Sequence, residues 1–146
     1  MRIRNVQDDD AGFAMECAKD FVEYYPVDLA WNEDHMYDFL SNIATNGVFL
    51  IAEGEDGERL GGILGFITPH FYDPSMIMLT ELAWWVAPEH RNGTVGLKLF
   101  KEFEKAGKER GCSAISMTST VHTPELPKYF EKKGYSHVES NYVRKY

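Results

Sequence analysis

Two periods of apolar residues divide the chain. After a short strand candidate, Arg2 to Val6, the residues Phe13, Cys17, Phe21 and Tyr24 recur three or four apart, the spacing of one face of an α-helix. Asp8, Asp9 and Asp10 give that helix an acidic start, and Pro26 bars its continuation. A second stripe, Met36, Phe39, Leu40, Ile43 and Ala44, opens at Asn32-Glu33-Asp34 and closes at Asn46-Gly47, a good C-cap pair. The pattern then turns to strands. Val48–Glu53 and Leu60–Thr68 flank Gly54-Glu55-Asp56-Gly57, which predicts a hairpin, and Met76–Val86 reads as a long buried strand. Val95, Leu99, Phe103 and Ala106 mark a third helix that ends at Gly111, and the alternation from Ala114 to Ser119 marks a short strand. Thr123-Pro124 has the N-cap and N1 order of a fourth helix, with Leu126, Phe130 and Lys133 along it. Tyr135 to Tyr146 is expected to close the chain as a hairpin around Ser140-Asn141. The order β-α-α-β-β-β-α-β-α-β-β is a mixed α/β class with a parallel crossover after Met76–Val86.

Composition narrows the function classes. No repeat or linker interrupts the 146 residues, so residues 1–146 are expected to form one domain. The longest apolar run, Leu82 to Ala87, is far short of the roughly 20 residues of a membrane span. Arg2-Ile3-Arg4 followed by acidic residues does not read as a secretory leader. Cys17 and Cys112 stand far apart, which excludes a disulfide framework and fits a reducing, cytoplasmic location. The histidines match no metal spacing, so no metal is expected. Fifteen basic against 23 acidic residues leave a net charge of −8, against a nucleic-acid partner and toward cations, including protonated amines. Neither a nucleic-acid partner nor a membrane is expected, and the chain itself is expected to be a monomer or a homodimer.

The informative stretch is Val86-Ala87-Pro88-Glu89-His90-Arg91-Asn92-Gly93-Thr94-Val95-Gly96. A buried strand runs through a Gly-containing loop straight into a helix, so backbone N–H groups and the helix dipole converge on one spot that suits a phosphate. It is neither GxxxxGK[ST] nor GxGxxG. An ordinary βα turn can carry the same glycines.

The spacing Val86-x-Pro88-x-x-Arg91-x-x-Thr94-x-Gly96-x-x-Leu99 resembles the acetyl-CoA signature of the GCN5-related N-acetyltransferases (GNAT), and Phe130-Glu131-Lys132-Lys133-Gly134-Tyr135 is similar to that family's Tyr-Glu-Lys-x-Gly-Phe. Element order agrees across nearly the whole chain. The resemblance implies the GNAT-like acyl-CoA N-acyltransferase fold, a central twisted mixed sheet with helices on both faces, and acetyl-CoA between the strands Leu79–Val86 and Ala114–Ser119. It implies pyrophosphate on the N–H groups of Arg91, Asn92, Gly93, Thr94, Val95 and Gly96, and pantetheine along Trp84, Trp85 and Val86. A strand bulge there would aim an N–H at the thioester oxygen.

Two positions depart from the family. Thr94 stands where glycine is usual, leaving Gly93 to take the turn. Phe130 stands where a tyrosine often protonates the departing thiolate; Tyr129 beside it, Tyr135 and Tyr142 are the candidate substitutes, or the thiolate leaves unaided. Glu81 falls where the family often places a general base, and a carboxylate among Leu79, Leu82, Trp84 and Trp85 has the raised pKa that suits it; a Glu paired with a nearby cation is the plainer reading. The acceptor side is expected from the Tyr25–His35 and Pro69–Ser75 loops, with Tyr25, Trp31, Phe71 and Tyr72 offering aromatic faces to a cation; the same residues would serve as an aromatic lid on the core. The activity that the resemblance implies is acetyl transfer from acetyl-CoA to a primary amine by direct attack, the partner being a small-molecule or peptide amine acceptor. The rivals are a non-catalytic acyl-CoA-binding or protein-interaction module and a protein N-terminal or lysine acetyltransferase.

Overall fold

A computed structural model describes residues 1–146. Five strands, β1 (Arg2–Asn5), β2 (Val48–Glu53), β3 (Arg59–Pro69), β4 (Ile77–Val86) and β5 (Ala114–Ser116), lie side by side in chain order. The first four run antiparallel; β4 and β5 are parallel, joined by the crossover helix α3 (Val95–Glu109). Helices α1 (Ala11–Tyr24) and α2 (Glu33–Asn46) precede β2, and α4 (Leu126–Lys132) follows β5.

Alternation along β2 sends its side chains to two cores, one on each face of the sheet. Val48, Leu50 and Ala52 join Leu60, Ile63 and Leu79 against Val95, Leu99 and Phe103 of α3. Phe49 and Ile51 point the other way, onto Ala14 of α1 and Leu40 and Ile43 of α2. The sheet is therefore covered by helices on both faces. Between β3 and β4 the register shifts: Leu64 faces Ala83 while Gly65 faces Glu81, so Leu82 is an extra residue bulged from β4. Gly65 permits this closeness, since a β-carbon there would lie 2.4 Å from Thr80 O and 2.8 Å from Phe103 Cζ.

A buried ion cluster ties α1 to the sheet. Asp10, fully buried, accepts from both terminal nitrogens of Arg4 (2.7 and 3.0 Å), from Arg59 Nε (2.9 Å) and from the Gln7 N–H (2.8 Å). Burial pushes its carboxyl up, but these donors overcome that and hold it well below the usual carboxylate range.

Four expectations need correction. Asp8–Asp10 form a 3-10 turn, and α1 starts at Ala11. The strand expected through Ser119 stops at Ser116, because its partner β4 is engaged only at Met78–Thr80. The fourth helix starts at Leu126, not at Thr123-Pro124; Thr123 Oγ1 accepts the Thr120 N–H at 2.9 Å in the preceding turn. The closing hairpin is absent: residues 135–146 hold no strand, and Val138 and Tyr142 are exposed. Neither parity of that segment is apolar, Ser136, Val138 and Ser140 alternating with His137, Glu139 and Asn141, so a strand there has no face to bury.

Asp10→Ala leaves Arg4 and Arg59 without their shared carboxylate and is expected to lower stability by on the order of 3 kcal/mol at pH 7, measured by denaturant unfolding. Because Asp10 titrates below its unfolded value, its contribution is present above the ordinary carboxylate range and is lost as pH falls. The gap between wild type and variant therefore narrows below about pH 4.

Candidate active site

The β4–α3 junction turns without any left-handed residue. Pro88–His90 form a 3-10 turn, in which the N–H groups of His90, Arg91 and Gly93 donate to Ala87, Pro88 and His90 carbonyls. Thr94, the residue before α3, sits at φ −98° and ψ −1°, in the right-handed region. Positive φ occurs only at Gly57, Gly111 and Gly134, so Gly93 does not supply the special turn expected of it. Its amide and that of Arg91 are used inside the turn. The N–H groups of Asn92, Thr94, Val95, Gly96 and Leu97 donate to nothing in the chain. Four of them are consecutive at the positive end of a 15-residue helix, an arrangement able to hold an anion.

Arg91 is positioned beside them. Its Nε donates to Val86 O at 2.8 Å, and its guanidinium carbon lies 5.9 Å from the centre of the Trp85 ring. Trp85 meets Phe13 of α1 edge-on at 5.6 Å. No carboxylate pairs with Arg91 in the structure, so its terminal nitrogens remain open to a ligand. Trp84 and Val86 face the opposite side, under α3; a β-carbon at Gly96 would stand 3.5 Å from Val86 Cγ2 and 3.6 Å from Trp84 Cζ2.

Past Thr80 the two parallel strands no longer pair. Glu81 is the first residue beyond the pairing, only 6% exposed, and its Oε2 accepts the Thr118 N–H at 3.2 Å. Burial pushes its carboxyl up to about 7, against the opposing pull of Thr118. No cation pairs with it, which removes the plainer reading of an ion-paired strand-end Glu. A buried carboxyl near neutrality, next to the Leu82 bulge, has the properties of a proton acceptor.

Phe130 is buried and packs on Phe100 (6.2 Å) and Tyr135 (5.5 Å). Tyr135 has its hydroxyl engaged, donating to Glu104 Oε2 at 3.0 Å. Tyr129 meets Phe100 edge-on at 5.8 Å, and its buried hydroxyl has no partner. Burial, and secondarily Glu104, pushes the Tyr129 phenol up.

The structure does not assemble the expected acceptor residues. Phe71 and Tyr72 are 87% and 84% exposed and pack on each other at 4.6 Å. No hydrogen bond or ring contact links them to Tyr25 or Trp31; the end of α1 instead meets the loop after β5, through His122 Nε2 and Tyr24 O at 2.9 Å. A groove of about 510 Å³ lies between α1 and α2, lined by Met15, Glu33, Asp34, Tyr37 and Asp38. The sequence pattern gives no sign of Met15, Tyr37 and Asp38 as groove residues, although the last two lie one helical turn beyond Glu33 and Asp34. No three His, Cys, Asp or Glu side chains converge as a metal site.

The sequence pattern of the Acetyltransferase (GNAT) family matches residues 14–135. The chain belongs to that family. No curated protein matches it. Among solved structures, a GCN5-related N-acetyltransferase from Ralstonia eutropha JMP134 is 21% identical with a TM-score of 0.75, covering 98% of this chain and 97% of that one. An aminoglycoside N-acetyltransferase solved with CoA is 16% identical, with a TM-score of 0.73 over 99% and 93% of the two chains. A predicted acetyltransferase from Clostridium acetobutylicum solved with acetyl-CoA is 12% identical, with a TM-score of 0.77 over 99% and 95%. These likenesses are of fold. Membership of the GNAT family brings acyl transfer as the general activity of this chain. No helix of this GNAT chain is long and apolar enough to cross a membrane.

Glu81 titrates above its unfolded value, so the stability associated with its protonated form is present below about pH 4.5 and is lost as pH rises through about 7. Glu81→Gln carries no such titration. Its stability relative to wild type is expected to improve from pH 5 to pH 8 by up to ~3 kcal/mol, read by unfolding in denaturant at both values. A difference independent of pH would mean that the carboxyl is not perturbed.

Proposed function

We propose that the protein is an N-acetyltransferase that moves the acetyl group of acetyl-CoA to a primary amine by direct attack. The observation that carries this reading is the buried, unpaired Glu81 carboxyl where β4 and β5 part, on the same strand that leads into the free amides of α3.

Acetyl-CoA supplies an activated acyl group and a thiolate leaving group. The amides of Thr94 to Leu97, with the open nitrogens of Arg91, suit its diphosphate. Glu81, ionised above about pH 7, takes a proton from the acceptor ammonium, directly or through water, freeing the nitrogen lone pair for the acyl carbon. The Leu82 bulge interrupts the ladder, and a backbone N–H released there would suit the oxygen that gains charge as the C–N bond forms. As the C–S bond breaks the sulfur takes up a proton, and the unpartnered, buried Tyr129 hydroxyl is the candidate donor in place of the residue that Phe130 replaces. A cytoplasmic location and a single catalytic domain over residues 1–146 go with this reading.

An acceptor amine on a peptide is the second reading. The open, carboxylate-lined groove between α1 and α2 and the exposure of Phe71 and Tyr72 favour a basic segment over an enclosed small molecule.

A panel of polyamines, aminoglycosides and basic peptides, assayed for free thiol released from acetyl-CoA, decides between these acceptors. Acetyl-CoA should raise the melting temperature of the wild type, and Gly96→Phe should abolish the rise by filling the space at the start of α3. With an active acceptor, kcat/KM should climb with pH through about 7, and Glu81→Gln should lower turnover by roughly 10²–10⁴-fold with unchanged acetyl-CoA affinity. Cofactor binding without turnover on any amine would leave a non-catalytic acyl-CoA-binding protein. No binding would end the acyltransferase reading.

A further inference from the structure

Residues 136–146 are exposed throughout and make no hydrogen bond to the rest of the chain. Their side-chain bonds are internal, between His137 Nε2 and both Glu139 O (2.9 Å) and Ser140 Oγ (3.2 Å). Arg144 and Lys145 stand there between Tyr142-Val143 and Tyr146, and neither cation has a carboxylate partner. A segment with neither burial nor backbone pairing takes other conformations at small cost. Lys145 is alone among the lysines in this freedom. Every other lysine stands on α1, α3 or α4, or caps α4 as Lys133 does, where helical hydrogen bonds fix the place of its amine.

The segment is rooted close to the parting of β4 and β5. Tyr135 packs on Phe100 at 6.0 Å, and Phe100 stacks on Trp84 at 5.7 Å. Trp84 is three residues along β4 from Glu81, so Tyr135 and Glu81 are separated by on the order of 25 Å. The ten residues from Tyr135 to Lys145 reach roughly 33 Å when extended. Charge draws the segment the same way. On α1, α2 and the residues joining them, Lys19 is the only Lys or Arg, and Glu33, Asp34 and Asp38 line the groove. The end of α1 meets the loop after β5 through His122 and Tyr24, so this acidic side borders the parting. A tethered amine that reaches a site is present there at an effective concentration in the millimolar range.

We propose that Lys145 is an internal acceptor, acetylated by its own chain. This rests on the acetyltransferase reading above and names a basic segment of the protein itself as a substrate. The Lys145 ammonium gives one proton to Glu81, and the freed Nζ lone pair forms the N–C bond to the acetyl carbon as the C–S bond breaks. The nitrogen then loses a second proton while the sulfur takes one up, leaving an acetamide on Lys145 and CoA as its thiol; Glu81 returns its proton to water. The product is neutral, so the reaction removes the charge that draws Lys145 to the acidic side.

The test uses the full chain with acetyl-CoA and no added amine. Intact mass should rise by one acetyl group, and peptide mapping should place it on Lys145 at least tenfold faster than on any helical lysine. The rate should be first order and unchanged by tenfold dilution of the protein; a rate that falls on dilution overturns the assignment to the same chain. Lys145→Arg should lose the mark, and Glu81→Gln should slow it at least tenfold. Acetyl groups spread evenly over exposed lysines, or a Lys145 mark indifferent to Glu81→Gln, would be uncatalysed and would overturn the proposal. Reach is read apart from turnover. With bromoacetyl-CoA, the Lys145→Cys thiol should displace bromide and tie CoA to that position, and excess CoA should prevent it. Adducts only at Cys17 or Cys112, in a protein that binds CoA and acetylates added amines, overturn the inference and leave the acyltransferase reading intact. Failure of the wild type to bind CoA at all removes both.

Discussion

β4 pairs along its whole length with β3 but with β5 over only three residues, Met78 to Thr80. Beyond that point one edge of a central strand is left without a neighbour, and backbone polar groups inside a protein require partners. The rest of the site follows from this parting. Glu81 reaches across it to the Thr118 amide, Leu82 bulges beside it, and Trp84, Trp85 and Val86 carry the half-open strand to the turn that launches α3. The parting is held in place by what lies below it. Leu79 is fully buried against Leu99 and Phe103, so α3 cannot slide along the sheet without opening that core.

Two buried carboxylates in one small fold show how surroundings set the protonation of the same chemical group. Asp10 accepts four hydrogen bonds, three of them from arginines, and stays charged well below the usual range. Glu81 is buried almost as deeply but accepts a single amide and faces no cation, so desolvation dominates and its carboxyl rises to about 7. The number and charge of the donors, more than depth, separates an ionic clamp from a group poised to exchange protons near neutral pH.

The loop before α3 carries a related lesson. A signature glycine is replaced by Thr94, yet the amides that open α3 stay free, because a 3-10 turn at Pro88–His90 brings the chain in with every residue in ordinary right-handed or extended backbone. What matters there is which N–H groups remain free, and the turn itself uses two of those that the spacing suggests. Phe130 is the same kind of case. Its place in the motif suggests an empty catalytic position, whereas its contacts with Phe100 and Tyr135 make it a core residue and leave the neighbouring Tyr129 hydroxyl as the one without a partner.

Local pattern by itself determined the helices α1 to α3, the β2–β3 hairpin, the long β4 and the strand–loop–helix junction at Val86–Gly96, because apolar periodicity and turn chemistry act between residues close in the chain. The apolar surroundings of Glu81 also predicted its raised pKa. Only the tertiary structure decided where pairing stops. β5 ends at Ser116 because its length depends on a partner thirty-six residues earlier, and the C-terminal segment, with no apolar face of its own, forms no strand on that edge. The acceptor side was likewise undecided by composition: Phe71, Tyr72, Tyr25 and Trp31 share aromatic character but no contact, while Met15, Tyr37 and Asp38 form a groove because two helices pack side by side. Which buried donors lack acceptors is decided last of all, since it requires every neighbour of Trp84 and Tyr129 to be in place.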